Sequence, residues 1–501
     1  MKKILIISDT VKRKTGYATV ARNLIKNLSN TGEYEFAQLG LADLFGPLEF
    51  EIDYYSQVKN HTQCCNRGPV IEFTPKGKPP IQYLKVDPST PLHDNQTVCP
   101  HGKDDGSDQY AYTSIYFVIQ HFKPDIVMPI NDLWGLYNIA HLANKANFKF
   151  VPYLAIDSDC MFPGIENPQH RPGLPPINTL PVLGNTHKIV VFTDWAKDVI
   201  NKTILKVTGG KILNNIEVVP HGVDTNIWKP LDNKQELRNK YFKIKDKVFL
   251  VGSIARNQPR KRLDGIFETM RKFIDKYEDN QTGKLMFYFH CALKDRMGWD
   301  LPWLAKWYEV EDRCIFDDRL KPGAGPTDEQ LNEIVNCFDA HLSLTNSEGW
   351  HLPALETAAA GVPNVITNYS AHADWGKDTH LFCKVKAWYH EPVTNFLKAV
   401  ADTDHAAKQL DLLYHSPKMR ESYSKKGIAL GKKLDWKNVC EQWKTLLDTV
   451  DVSELKADRY NNTMLNVNPK ENPMAIKYLP ADPDAPMPNT PSSTPENNEK
   501  K

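Results

Sequence analysis

Residues 347–363 have the sequence SEGWHLPALETAAAGVP, and this stretch decides the predicted fold. It follows an apolar run, Ala340–Leu344, that predicts a buried strand, and Pro353 suits the first turn of the helix that comes next. Glu348 therefore lies just past the carboxyl end of a strand, and Glu356 is expected in the first turn of the helix. Ligands bind to open parallel sheets at the carboxyl ends of the strands. The stretch predicts a ligand site at that edge of a sheet.

The two glutamates suit a nucleotide ligand. A helix N-terminus presents unpaired N–H donors that favour a diphosphate, and a carboxylate beside it can accept hydrogen bonds from the two vicinal hydroxyls of a ribose. The spacing alone is equally compatible with a Glu356 that complements the helix dipole and a Glu348 that is solvated in a loop. Between them, Trp350 and His351 follow Gly349, and such bulky rings are unusual in a merely solvated turn. These rings favour a ligand site.

A second loop carries four cations. Residues 252–264 read GSIARNQPRKRLD, which predicts the end of a strand, a loop and the start of a helix. The cations need an anion or solvent around them, and they are Arg256, Arg260, Lys261 and Arg262. A solvated basic loop is the usual explanation for such a run of charges. The position after a second strand also makes the loop a candidate partner for the phosphates of the same ligand.

Residues 347–363 resemble the Glu-x7-Glu region of retaining glycosyltransferases with the GT-B fold, and among these they look most like family 4. The resemblance covers residues 1–40 and 120–450, roughly. It implies two Rossmann-like doubly wound α/β domains that face each other across a cleft, with a C-terminal helix that crosses back to the first domain. It also implies that Glu348 contacts the donor sugar and that Glu356 binds the ribose of a nucleotide sugar.

The resemblance extends to the rest of the donor site. The family places an arginine and a lysine on the donor diphosphate, and Arg256 and Lys261 match them. Gly16, between the first strand and the first helix, resembles part of a glycine-rich loop that approaches the donor, although a glycine here is also compatible with a purely conformational role. The other implied donor-binding residues are Gly349, Trp350, His351 and Leu352, with His351 standing where the family usually has glycine.

Acidic residues follow two predicted strands of the first half. The apolar run 150–156 ends at Asp157, where the family often carries a histidine near the reacting sugar. Asp157 is therefore the predicted contact to the sugar or to the acceptor hydroxyl, and the alternative is that it only caps a turn. Asn131 and Asp132 follow another strand and are further candidates on the acceptor side.

The chain of 501 residues is too long for one hydrophobic core, since single cores stop growing near ~250–300 residues. Apolar strand patterns alternate with amphipathic helices on both sides of residue 222. The predicted units are an acceptor-side domain at 1–222, a nucleotide-sugar-binding domain at 223–435, a crossover helix at 436–450 and a disordered tail at 451–501. Residues 46–110, which are rich in Pro, Asn, Asp and Gly, are expected to form an irregular insertion.

Charge and cysteine usage restrict the partners. The 62 Lys and Arg residues balance the 61 Asp and Glu residues, so no global basic field favours nucleic acid or an anionic bilayer. No apolar run approaches the ~20 residues of a membrane span, which leaves only peripheral membrane contact. The nine cysteines are odd in number and lie mostly in apolar runs, which favours reduced thiols in the cytoplasm. Their spacing does not match a zinc site, and we expect neither a metal nor a cofactor.

The resemblance implies a hexosyltransferase. Such an enzyme takes a hexosyl group from a nucleotide-diphosphate sugar and transfers it to a hydroxyl of a glycan, a lipid-linked or a protein-linked acceptor, with retention at the anomeric carbon. Two alternatives remain open. Nucleotide-sugar epimerases share the two-domain fold and act on similar donors without an acceptor. A non-catalytic protein of this fold would bind sugar nucleotides without turnover.

Overall fold

The computed structural model describes most of residues 1–41, 115–159 and 183–455, together with two strands at 55–59 and 70–74. The remainder of the predicted insertion at 46–110 and the predicted tail beyond residue 455 lie outside the described residues. The described part forms two large sheets flanked by helices, and a small antiparallel hairpin accompanies the second sheet.

The first sheet contains nine strands among the described residues. They are β1 (Lys2–Asp9), β2 (Tyr34–Leu41), β3 (Tyr55–Lys59), β4 (Val70–Thr74), β5 (Ile126–Asn131), β6 (Lys149–Phe150), β7 (Tyr153–Leu154), β8 (Ile189–Val191) and β9 (Ile216–Val218). Their order is β3-β4-β2-β1-β5-β7-β8-β9, with β6 also paired to β5. From β2 to β9 the pairs are parallel, and the order reverses between β1 and β5. A ligand crevice is expected at such a reversal.

Part of the predicted irregular insertion is regular. Strand β4 pairs antiparallel with β2, and β3 pairs antiparallel with β4, so this segment extends the edge of the first sheet. Four of the five residues of β4, Val70, Ile71, Phe73 and Thr74, have high strand propensity, although Pro and Asn residues surround the segment in the sequence. For these two segments, the expectation of irregular structure is wrong.

The second sheet is parallel throughout. Its strands are β10 (Val248–Ile254), β11 (Lys284–His290), β12 (Cys314–Phe316), β13 (Ala340–Ser343), β14 (Asn364–Thr367) and β15 (His380–Cys383). Their order, β12-β11-β10-β13-β14-β15, is that of a doubly wound nucleotide-binding sheet. The hairpin that follows pairs β16 (Val385–His390) with β17 (Leu397–Ala401). The strand order reverses between β10 and β13, the strands that precede the two loops singled out above.

Helices connect the strands. Those with defined bounds are α1 (Gly16–Ser29), α2 (Asp194–Thr208), α3 (Lys234–Phe242), α4 (Leu263–Lys276), α5 (Leu301–Trp307), α6 (Asp328–Val335), α7 (Leu352–Ala359), α8 (Ala371–Trp375), α9 (Thr403–His415), α10 (Pro417–Lys433) and α11 (Trp436–Asp448). Helix α4 shows why they form: Leu263, Ile266, Met270 and Phe273 repeat at a three-and-four spacing and are all buried.

Helix α11 returns to the first sheet, as the resemblance implies. The Tyr34 hydroxyl of β2 donates to Asp448 Oδ1 at 3.0 Å, and Trp443 is fully buried with its ring edge-on to Tyr153 at 4.7 Å. The chain passes between the two predicted domains near Val223 and again near Trp436. These two segments lie side by side, because the backbone N–H of Trp436 donates to Val223 O at 3.1 Å. One apolar cluster is therefore continuous between the two sheets.

Candidate active site between the two sheets

The two loops after β10 and β13 meet at the reversal of strand order in the second sheet. We call residues 255–262 the basic loop and residues 344–351 the acidic loop. The backbone N–H of Asn346 donates to Arg260 O at 2.8 Å, and Arg260 Nη1 donates to Ser347 O at 3.2 Å. The loops are thus fixed to each other by direct hydrogen bonds, at the edge where a doubly wound sheet binds its ligand.

Glu348 is the centre of this arrangement. Its carboxylate accepts hydrogen bonds from Arg260 Nη1 at 3.0 Å, from Lys261 Nζ, and from the Thr345 hydroxyl at 2.9 Å. Its backbone N–H donates to Ser370 Oγ at 2.9 Å. The residue is only 5% exposed, so it is not the solvated loop acid of the alternative interpretation.

The charges of this cluster fix its protonation. Burial would raise the pKa of Glu348, but Arg260 and Lys261 hold it well below its usual range. Burial, followed by the neighbouring charge of Arg260, lowers the pKa of Lys261 to about 8. Although burial opposes it, the charge of Glu348 and then that of Asp157 raise the pKa of Arg260. Two cations thus surround one carboxylate, which leaves positive charge to balance an anionic ligand.

Two of the four cations of the basic loop contact the acidic loop, and the other two do not. Arg256 is exposed and forms no ion pair with the described residues. Arg262 makes a two-pronged pair with Asp264, Nε to Oδ1 at 2.9 Å and Nη2 to Oδ2 at 2.9 Å. A turn of 3-10 helix, Pro259–Lys261, directs the other two cations to the acidic loop. Arg260, to which the resemblance assigned no role, is therefore part of the cluster.

Glu356 is not in the first turn of its helix. Helix α7 begins at Leu352, which makes Glu356 its fifth residue and places it in the second turn. The carboxyl is half-buried near Asp328 and Arg22. Burial, and then the charge of Asp328, raise its pKa to about 8 against the opposing effect of Arg22. The predicted position of Glu356 in the first turn is wrong, because the helix begins at Leu352, one residue before Pro353.

Gly349 and Trp350 fix the acidic loop against its surroundings. A Cβ on Gly349 would lie 3.2 Å from Cβ of Ala155 in the first domain, so the loop approaches that backbone more closely than a side chain readily permits. Trp350 is 4% exposed, stacks on Trp375 at 5.1 Å and lies edge-on to His221 at 5.5 Å. These contacts are those of a packing residue in the core between the sheets.

His351 and Leu352 begin helix α7. His351 has φ 85°, a left-handed conformation that glycine adopts more readily, and its buried Nδ1 has no hydrogen-bond partner among the described residues. Burial lowers the pKa of its imidazole well below the usual range, so the ring is neutral. Leu352 Cδ1 lies 3.5 Å from the position that a Cβ on Gly16 would occupy. Gly16, at the start of α1, thus faces α7 across the cleft.

The first domain contributes acids opposite the basic loop. Asp157 accepts from the Ser158 hydroxyl at 3.1 Å and pairs with Lys398 Nζ at 3.3 Å. The Tyr17 hydroxyl donates to Asp132 Oδ1 at 2.9 Å. Burial, followed by the charge of Asp157, raises the pKa of Asp132 to about 7. Asp132, only a secondary candidate from the sequence, therefore titrates near neutral pH.

Among the described residues, no group of three or more His, Cys, Asp or Glu side chains could hold a metal ion. None of their helices combines the length and the apolar character that crossing a membrane requires.

Comparison with known proteins bears on the fold. No protein-family model matches the sequence, and no curated protein matches it. Among solved structures, sucrose-phosphate synthase from Thermosynechococcus elongatus is similar, with a TM-score of 0.59 and 14% identity over 89% of this chain and 98% of the other. Anabaena HepE in complex with UDP-glucose gives 0.56 and 12% over 90% and 100%, and a glycosyltransferase from Rickettsia africae ESF-5 gives 0.56 and 13% over 90% and 99%. Together with the two doubly wound sheets and the returning helix α11, these similarities show that the chain has the GT-B fold.

Proposed function

We propose that the protein is a retaining glycosyltransferase that moves a hexosyl group from a nucleotide-diphosphate sugar to an acceptor hydroxyl. The observation that carries the proposal is the buried Glu348, held by Arg260 and Lys261 where the strand order reverses. A fold alone does not identify an activity, whereas the residues of this site favour a nucleotide-sugar ligand. We also propose that the enzyme belongs to family 4 and acts in the cytoplasm. Residues 1–222 would bind the acceptor, and residues 223–435 would bind the donor.

The donor is proposed to lie on the second domain. Its diphosphate would be neutralised by Lys261 with Arg260 or Arg256, and by the backbone N–H groups that begin α7. Glu356 would accept hydrogen bonds from the ribose hydroxyls. Gly16, across the cleft, and the segment 349–352 would line the donor. One of the similar structures, HepE, is in complex with UDP-glucose, which supports a uridine diphosphate sugar as the first donor to test.

The reaction would proceed by direct transfer on one face of the sugar. The bond from the anomeric carbon to the leaving phosphate oxygen breaks, the bond to the acceptor oxygen forms, and the acceptor proton passes to the departing phosphate. Glu348 would stabilise the positive charge on the sugar, and the basic loop would stabilise the negative charge on the diphosphate. Asp157 and Asp132 would orient the acceptor hydroxyl. No cofactor or metal is required by this scheme.

The test is turnover of UDP-glucose with a panel of glycan, lipid-linked and peptide acceptors, followed by NMR. Formation of an α-glycoside from the α-linked donor supports the proposal. A β-glycoside contradicts retention. An epimerised donor in the absence of any acceptor would instead identify an epimerase, and binding of UDP-glucose without any product would identify a non-catalytic binding protein.

Donor binding is expected to release a proton at pH 7. With a pKa of about 8, Glu356 is mostly protonated in the free protein, and it must ionise to accept both ribose hydroxyls. Calorimetric titration of UDP-glucose in buffers of different ionisation enthalpy should show release approaching about one proton, which fades above pH 9. Glu356→Gln should abolish this release. Equal release by the variant would exclude Glu356 as the ribose ligand.

Acceptor use is expected to depend on the ionisation of Asp132. Below its pKa of about 7 the carboxyl is protonated and cannot accept from an acceptor hydroxyl as a carboxylate does, so kcat/KM for the acceptor should rise as the pH passes through 7. Asp132→Asn should remove this limb of the profile. Because the Tyr17 hydrogen bond lowers the pKa of Asp132, Tyr17→Phe should move the limb to higher pH. An unchanged profile in both variants contradicts the assignment.

A further inference from the structure

The hairpin β16–β17 reaches from the second domain to the first. The backbone N–H of Leu397 donates to Asp159 O at 3.2 Å, which joins β17 to the segment that carries Asp157. On the other side, the N–H of Ala399 donates to Asn346 O of the acidic loop at 3.2 Å. Strand β17 thus lies between the acceptor-side acid and the loop of Glu348.

Lys398 lies on β17 between these two backbone contacts. It is 1% exposed, and its ammonium donates to Ser158 Oγ at 2.8 Å and to Ser347 Oγ at 2.8 Å, and pairs with Asp157 Oδ2 at 3.3 Å. Two of these oxygens belong to the first domain and one to the second. A buried ammonium is costly unless its hydrogens are satisfied, and here three oxygens satisfy them.

We propose that Lys398 is a positioning residue that sets the acceptor-side acid Asp157 relative to the donor-side acid Glu348. Both oxygens of Asp157 are fixed, one by Lys398 and the other by the Ser158 hydroxyl. Ser347, the other partner of Lys398, immediately precedes Glu348. This inference rests on the proposed function and adds to it the element that aligns the two sides.

The effect of Lys398 on Glu348 passes through Ser347. The carbonyl oxygen of Ser347 accepts from Arg260 Nη1 at 3.2 Å, and the same nitrogen binds the carboxylate of Glu348. A shift of Ser347 would therefore move both Glu348 and its cation. None of the partners of Lys398 is among the groups proposed to bind the diphosphate or ribose, so its loss should slow transfer more than it weakens donor binding.

Lys398→Met tests this split, because it keeps an unbranched side chain and removes the ammonium. We expect kcat to fall about tenfold to a hundredfold, since a misplacement of about 1 Å can cost that much, while the Kd for UDP-glucose changes by less than about threefold. Lys386→Met, at an exposed lysine of the same hairpin, is the matched control and should leave both quantities unchanged. An unchanged kcat in Lys398→Met, or equal losses in kcat and donor affinity, would overturn the proposal.

A second pair of measurements keeps the inference testable if Lys398→Met folds poorly or if no transfer is found. Ser347→Ala removes one partner of Lys398 and retains the ion pair with Asp157. It should also lower kcat more than it weakens the binding of UDP-glucose, but by a smaller factor than Lys398→Met. Hydrogen exchange of the Leu397 and Ala399 amides should be faster in Lys398→Met than in Lys386→Met, whatever the enzyme does. Unchanged exchange would refute the alignment by Lys398, whereas a wild type without turnover of any donor would refute the proposed function alone.

Discussion

Replacing Glu348 by glutamine should lower kcat/KM for the donor by about a hundredfold to a thousandfold, the range found when one preorganised electrostatic group is removed from an active site. Glutamine keeps the shape and can still accept from Lys261 and Thr345. It lacks the negative charge that opposes the positive charge developing on the sugar. Initial rates of transfer from UDP-glucose, measured for both proteins under the same conditions, provide the comparison.

The pH dependence of the Glu348→Gln variant provides an internal check. Glu348 raises the pKa of Lys261 against the lowering effects of burial and of Arg260. Without that carboxylate, the pKa of Lys261 should fall below its present value of about 8, and residual activity should decline at lower pH than in the wild type. Thermal unfolding measured in parallel separates this effect from loss of structure. Activity within about threefold of wild type would remove Glu348 from the mechanism.

The second sheet was accessible from the sequence because its signals are local. The strands β10 and β13 are apolar runs, and each is followed by charged residues and a helical pattern. That order places the charges at one edge of a parallel sheet. Glu348 and Lys261 could therefore be predicted to lie together before any coordinates were known. The hydrogen bond from Lys261 to Glu348 confirms that proximity, although the roles of the two residues in catalysis stay predictions.

Other parts of the site depend on contacts that spacing does not encode. The family pattern matches Arg256 and not Arg260, whereas the inward direction of Arg260 results from the turn of 3-10 helix at Pro259–Lys261. Lys398 lies in a short strand, and its buried environment is made by residues 51 and 240 positions away. A lysine is normally exposed, so nothing near it in the sequence predicts burial.

Replacing Lys261 by methionine should weaken donor binding and slow transfer together. The Lys261 side chain is 12% exposed, and its ammonium is one of two cations on Glu348. Its loss removes positive charge from the proposed diphosphate site and leaves the carboxylate to Arg260 and Thr345. Hydrogen bonds to charged groups contribute about 1.5–3 kcal/mol, which corresponds to roughly a tenfold to hundredfold loss of affinity for UDP-glucose. Calorimetric titration measures the affinity, and Lys294→Met, at an exposed lysine, is the control.

Parallel variants of the two arginines decide which of them completes the diphosphate site. If the geometry of the free protein persists when the donor binds, Arg260→Met should weaken binding of UDP-glucose about as much as Lys261→Met, and Arg256→Met should have little effect. If Arg256 swings into the cleft, the order is reversed.

Glu348 and Lys261 are in contact, so Glu348→Gln and Lys261→Met should be strongly non-additive in their effects on transfer. Arg256 and Glu348 share no partner in the free protein, so Arg256→Met and Glu348→Gln should combine additively. Full additivity of Glu348→Gln with Lys261→Met would show that the acid and the lysine act separately in the reaction.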